Sequence, residues 1–215
     1  MRLPSVLLTA LTVAAFAAHA APSAELLDLA GRVHYGYYHA EPRTIEAAMT
    51  GLDRLADAPD VFYYRDFAAL RRAQLGSADR SALARLGACA ERDVPAGLDK
   101  RFAAEAWALV AACAQVAGDH GRRERALSQA RERDDDNPRI ALVEAWALAD
   151  AAGDDAAQRD AVAAKLATVV EAFDAWAPSF DDPDWGHADA LTAEARVPCG
   201  TTSSSVCGGS TRSVR

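Results

Sequence analysis

The stretch from Ala104 to Pro138, AEAWALVAACAQVAGDHGRRERALSQARERDDDNP, constrains the fold more than any other. Its apolar residues recur at helical spacing as far as Ala117. Gly118-Asp119 then breaks the pattern, which resumes to about Arg133 before Asp134 to Pro138 closes it. This reads as one helix, a tight turn and a second, antiparallel helix. A turn that short forces the two helices to share a buried face. The flanking segments read as looser copies of the same unit.

Taken along the chain, the periodicity predicts nine helices and no strand. They span about 24–39, 42–58, 61–75, 78–92, 103–117, 122–133, 139–152, 155–175 and 185–196. Punctuation supports the boundaries. Ser23, Ser77 and Asp184 are placed to cap helices, Pro42 and Pro138 to open them, and Gly76, Gly118 and Gly153 to end them. The 52 alanines agree with an all-α chain. With 21 Arg against 2 Lys, a GC-rich genome would account for part of that alanine. The three closing glycines are separated by 42 and 35 residues, the period of helix-turn-helix repeats that stack into an α-solenoid.

The ends read differently. Arg2, the thirteen-residue apolar run Val6 to Ala18 and the Ala18-His19-Ala20 site have the form of a cleaved signal peptide over residues 1–20. The run is shorter than the ~20 residues a membrane span needs. From Pro198 the chain is Gly, Ser and Thr without apolar periodicity, which predicts a disordered tail over 198–215. Between them lies one helical domain, 21–197. These features predict an exported chain, periplasmic or secreted, with no membrane span once the leader is removed. Without Arg2 the chain carries 22 basic and 31 acidic residues, a balance that repels phosphate backbones and speaks against nucleic acid.

The unit at 104–138 resembles a tetratricopeptide repeat. Trp107, Val110 and Ala111 match the aromatic, large and small positions of the first helix, and Leu127 and Ala130 match the second. Ala114 stands where an aromatic is usual, Arg123 where a small residue is usual, and Pro138 closes the unit three residues late. The copy at 61–95 keeps Tyr64, Phe67 and Ala68 but has Arg71 in place of an aromatic. The copy at 139–175 keeps Leu142, Ala145 and Trp146. Asn137-Pro138-Arg139 with the later Asp184-Trp185-Gly186 is also similar to a group of exported bacterial tetratricopeptide-like proteins, although this chain lacks their Gly-rich insertion. The resemblance implies antiparallel helix pairs forming a short TPR-like α-solenoid. It implies no activity.

Little in the sequence points to catalysis. There is no Gly-x-Ser-x-Gly, P-loop or His-Glu-x-x-His motif. His34 and His39 are five apart, off a shared helical stripe, and His120 falls in a turn, so neither a metal nor any other cofactor is expected. His187 reads as part of the first turn of the last helix. The runs Asp134 to Asp136 and Asp181, Asp182, Asp184 read as helix-terminal carboxylates. Of the four cysteines, Cys89 and Cys113 are predicted to be free, buried and unbridged, because the end of one helix and the middle of the next should lie roughly 15 Å apart. A local Cys199–Cys207 bridge remains feasible.

Three functions are carried forward. The first is a non-enzymatic scaffold that binds a protein or peptide partner in the cell envelope. Its binding residues would lie on a concave face supplied by helices three, five and seven, or in the aromatic N-terminal cluster: Tyr35, Tyr38, Phe62, Tyr63, Arg65, Glu105 and Glu144. The second is a small-ligand binder or enzyme with a polar site in the solenoid cavity, using Tyr63, Arg65, Glu105 or Glu144. The third is a structural subunit of an envelope complex.

Overall fold

The computed structural model describes residues 22–76, 78–153, 155–177 and 183–196. The proposed leader and tail, and with them Cys199 and Cys207, lie outside the described residues. Among the described residues the chain is all-α, with nine helices and no strand. They are α1 (Ala24–Tyr38), α2 (Pro42–Leu52), α3 (Pro59–Gln74), α4 (Arg80–Ala90), α5 (Lys100–Ala117), α6 (His120–Arg131), α7 (Pro138–Ala152), α8 (Ala156–Ala175) and α9 (His187–Arg196). No described helix is long and apolar enough to cross a membrane.

Most ends have a local cause. Ser23 Oγ accepts from the Leu26 amide at 3.1 Å, and Asp99, Asp119, Asn137 and Asp155 receive first-turn amides of their helices in the same way. Gly118 ends α5 at φ 76°, a left-handed conformation that costs a residue with a Cβ about 1 kcal/mol or more. Four expectations shift. Helix α2 stops at Leu52 rather than near Ala58, because Arg65 takes the Leu52 and Leu55 carbonyls at 3.0 and 2.8 Å and so satisfies a non-helical connection. The cap of α4 is Asp79, whose carboxylate accepts from the Ala82 amide; the expected cap, Ser77, is not among the described residues. At α7 the capping oxygen belongs to Asn137 and not to the preceding aspartates. At α9 the carboxylate inside the first turn is Asp189, which accepts from the Gly186 amide at 3.1 Å, while Asp184 is exposed.

Consecutive helices pack as pairs: α1 on α2, α3 on α4, α5 on α6 and α7 on α8. The odd-numbered helices also pack in series, α1 on α3, α3 on α5 and α5 on α7. The central member, α5, is covered by α3, α4, α6 and α7, and is buried almost continuously from Ala103 to Gln115. Its many alanines let four neighbours approach one axis. Trp107, Val110, Ala111, Leu127 and Ala130 are all buried.

The expectation of free cysteines is corrected. Cys89 and Cys113 form a disulfide with their Cα atoms 5.9 Å apart, and both are fully buried. The distance argument assumed that α4 and α5 lie antiparallel, with the end of one opposite the start of the next. Instead residues 91–99 form the longest connection between α1 and α8. Nine residues can reach about 30 Å, so the chain runs back before α5 begins at Lys100, and the end of α4 meets the second half of α5.

Candidate functional site

Helix α3 presents two neighbouring faces with different fates. Tyr63, Phe67 and Arg71, four residues apart, share one face. Phe62 and Asp66 lie beside it, one step around the helix.

The first face is covered by the chain's own C-terminal segment. Trp185 is 2% exposed and donates its indole N–H to Tyr63 Oη at 2.6 Å. Phe67 and Trp146 flank its ring at 6.2 and 6.5 Å. Arg71, fully buried, gives both terminal nitrogens to Asp189, at 2.9 and 2.6 Å, and its guanidinium lies 4.1 Å from the Tyr37 ring. A second buried pair locks the start of this segment. Arg139 binds Glu105 Oε1 at 2.7 Å and the Pro183 carbonyl, while Asn137 donates to the same Glu105 oxygen at 2.9 Å. Gly186 passes so close to α8 that a Cβ there would stand 2.6 Å from Phe173. Asn137-Pro138-Arg139 and Asp184-Trp185-Gly186 are therefore two halves of one contact. The arginine holds the carbonyl that precedes the tryptophan, and the glycine lets that tryptophan in.

Electrostatics on this face follow from burial. Desolvation, helped by the neighbouring Arg71 charge, pushes the His34 imidazole down to about 4, against the opposing pull of Asp184 and Asp189. Desolvation also pushes the Tyr63 hydroxyl well above its ordinary range.

The second face opens onto a cleft of about 110 Å³. Its floor and walls are apolar: Phe62 of α3, Val94 and Leu98 of the 91–99 connection, and Phe102, Leu109 and Val110 of α5. The connection forming one wall is pinned from behind. Arg122 of α6 takes the Ala90 and Arg92 carbonyls at 2.9 and 2.6 Å, and the disulfide holds Cys89 just ahead of it. At the mouth, Arg92 clasps the carboxylate of Asp66 through Nε and Nη2, and its guanidinium lies 5.4 Å from the Phe62 ring. Burial raises the Asp66 carboxyl against the opposing effect of Arg92. Arg92 Nη1 makes no hydrogen bond to a described residue. Asp93 is almost fully exposed, with Arg122 no nearer than 3.5 Å.

The seven residues singled out from the sequence are not gathered into one place. Tyr63 and Glu105 lie beneath the C-terminal segment, in the contacts just described. Arg65 holds the α2–α3 connection and pairs with Asp57 at 2.7 Å. Glu144 is shared by Arg131 of α6 and Lys165 of α8; burial would raise its carboxyl, but the two cations together lower it. Tyr35 and Tyr38 are about half exposed on α1, Tyr35 stacking on His39 and Tyr38 on His34. Phe62 and Tyr63 are the two of the seven that line the cleft. Sequence reasoning missed Val94, Leu98, Phe102 and the Asp66–Arg92 pair. The one available signal was the length of the connection holding Pro95 and Gly97.

A polar recess of about 260 Å³ between α2, α3 and α4 includes Arg72 and Arg85, but Arg72 bonds Glu46 and Arg85 binds Asp53 through two contacts. Among the described residues no three His, Cys, Asp or Glu side chains gather as a metal set. No protein-family model matches the chain, and no curated protein or solved structure matches it at a significant level.

Proposed function

We propose that the chain is a non-enzymatic, tetratricopeptide-like scaffold exported to the bacterial envelope, where it binds a protein or peptide partner. Several observations support the reading. The helices pack as antiparallel pairs with the odd-numbered members in series, which is how a short α-solenoid of this repeat type is built. A disulfide deep in the core suits an oxidising compartment and therefore export. The observation that carries the binding role is the open apolar cleft beside α3. It has aromatic walls and, at its mouth, an ion pair whose arginine is partly exposed, on a molecule whose neighbouring face is already filled by the segment Pro183 to Asp189.

This moves the binding surface away from the face first expected. Helices α3, α5 and α7 do line a common side, but Pro183 to Asp189 occupies it. The cleft lies at the edge of that layer, where the long connection departs from the repeat pattern. Connections are where scaffolds of this kind place recognition, because they vary without disturbing the core.

A photoreactive phenylalanine analogue at Val94, in the exported chain within its native envelope, tests the reading. A discrete cross-linked partner is expected from position 94. It should be lost when Ala106→Leu fills the cleft, and it should be absent when the analogue sits at exposed Leu83 of α4. Equal capture from 83 and 94, or no capture from 94, contradicts it.

A further inference from the structure

The cleft is specific in size and in charge, and together these describe what fits it. An apolar cavity of about 150 Å³ holds one benzene ring. At about 110 Å³, and open on one side, the cleft takes a single ring or branched side chain. It is well below the ~300–1,000 Å³ of sites that enclose a whole small ligand. A bare ring has few atoms, each worth at most about 1.5 kcal/mol, so whatever carries the ring must gain further contacts along the rim.

The rim charge is unequal. Asp66, Arg92 and Asp93 line the cleft, two carboxylates against one guanidinium. Arg92 is spent on Asp66, leaving Asp93, almost fully exposed and paired only with Arg122 at 3.5 Å, as the more weakly held carboxylate. The nearest cation, Arg122, gives its close hydrogen bonds to the Ala90 and Arg92 carbonyls and stays 3.5 Å from Asp93. Arg65, whose guanidinium lies 5.5 Å from Phe62, is likewise occupied with Asp57 and two carbonyls. Arg92 Nη1 remains to donate to an acceptor at the mouth. A backbone carbonyl suits it; a carboxylate would meet the repulsion of Asp66 and Asp93.

We infer that the cleft is the recognition site for one aromatic side chain of a protein segment that carries a basic residue beside it. The ring seats between Phe62, Phe102, Leu109 and Val110, where aromatic pairs gain about 0.5–1.5 kcal/mol beyond area burial. The adjacent lysine or arginine faces Asp93, and a carbonyl of the segment accepts from Arg92. The inference rests on the binding role proposed above and adds the chemistry of the partner.

Titration of the methyl-labelled full chain with blocked peptides, followed by NMR, tests it. Lys-Phe-Lys should shift the Val94, Leu98, Leu109 and Val110 methyls saturably. Lys-Ala-Lys should leave them unmoved, and Glu-Phe-Glu should bind at least tenfold more weakly. Ala106→Leu should abolish the shifts. Asp93→Lys, an exposed change that spares the core, should reverse the preference between the Lys- and Glu-flanked peptides. Four results would overturn the inference: no saturable shift with Lys-Phe-Lys, equal binding by the alanine peptide, toluene binding as tightly as the peptide, or shifts that depend on protein concentration without any peptide. A chain that cross-links a partner from Val94 yet ignores these peptides would keep the binding role and lose the aromatic-basic assignment.

Discussion

Arg71 and Arg92 each bind an aspartate through two nitrogens, and each lies beside an aromatic ring of α3, Phe67 and Phe62 respectively. They do opposite things. The Arg71–Asp189 pair has almost no solvent exposure and ties α3 to a segment more than a hundred residues away. The Arg92–Asp66 pair keeps a third of its arginine side chain in solvent and joins α3 only to the nearby 91–99 connection. Breaking a fully desolvated pair strands a charge, so that pair can hold an architecture together. A half-exposed pair is worth less to the fold and leaves a donor for something else. The difference separates a face the molecule uses on itself from a face it leaves open.

The largest expected effect falls on the closed face. Arg71→Ala strands the Asp189 carboxylate and should lower stability by about 3–5 kcal/mol, read as a drop in the urea midpoint. Replacing both partners, Arg71→Met with Asp189→Leu, should recover most of that loss. If the double variant is no better than the single one, the cost lies in packing and not in the stranded charge.

The wall of the open face should come next. Reducing the Cys89–Cys113 bond, or replacing both residues with alanine, releases a loop of 24 residues and should cost about 3–4 kcal/mol by loop-closure entropy. Because the bond precedes the 91–99 connection, peptide affinity at the cleft should fall along with it. Stability lost without any change in affinity would show that the wall is held by Arg122 alone.

A pH dependence separates the faces again. His34 has a folded pKa near 4 against about 6.5 unfolded. The unfolded chain therefore binds the extra proton first. The contribution is fully present above pH 6.5 and is lost as pH falls toward 4. The loss should reach about 3 kcal/mol between those limits, and His34→Gln should remove that part of the slope. An unchanged slope in the variant would mean that His34 is solvated and the closed face is looser than described. The smallest effect belongs to the open face: Asp93→Lys should change stability by less than about 0.5 kcal/mol in thermal denaturation while altering peptide choice.

The nine helices were legible because their causes are local: periodic alanine and leucine, prolines at first turns, glycines at ends. The closed face was not. Nothing near Arg71 signals that its partner is Asp189, and a position where the repeat usually has an aromatic looked only like a departure. In the structure that arginine is a buried tie to the C-terminal segment. Arg123, another departure from the resemblance, reaches Gln115 at 2.6 Å on its own helix pair. The disulfide was missed for a similar cause. Chain length between helices is visible in a sequence, but the direction in which a nine-residue connection runs is not. The candidate residues suffered most, because exposure and burial of polar side chains depend on what folds back over them. Tyr63 and Glu105 looked available until Pro183 to Asp189 was placed above them.

Amide hydrogen exchange of the full chain measures the contrast directly. The account predicts that amides of α9, from Ala190 on, exchange as slowly as those in the middle of α3, and only through global unfolding. Amides of the 91–99 connection should exchange fast and slow down only when an aromatic-basic peptide is present. Fast exchange in α9 with a protected connection would contradict it. The C-terminal segment would then be the part that opens, and the face of Tyr63, Phe67 and Arg71 would be the one available to a partner.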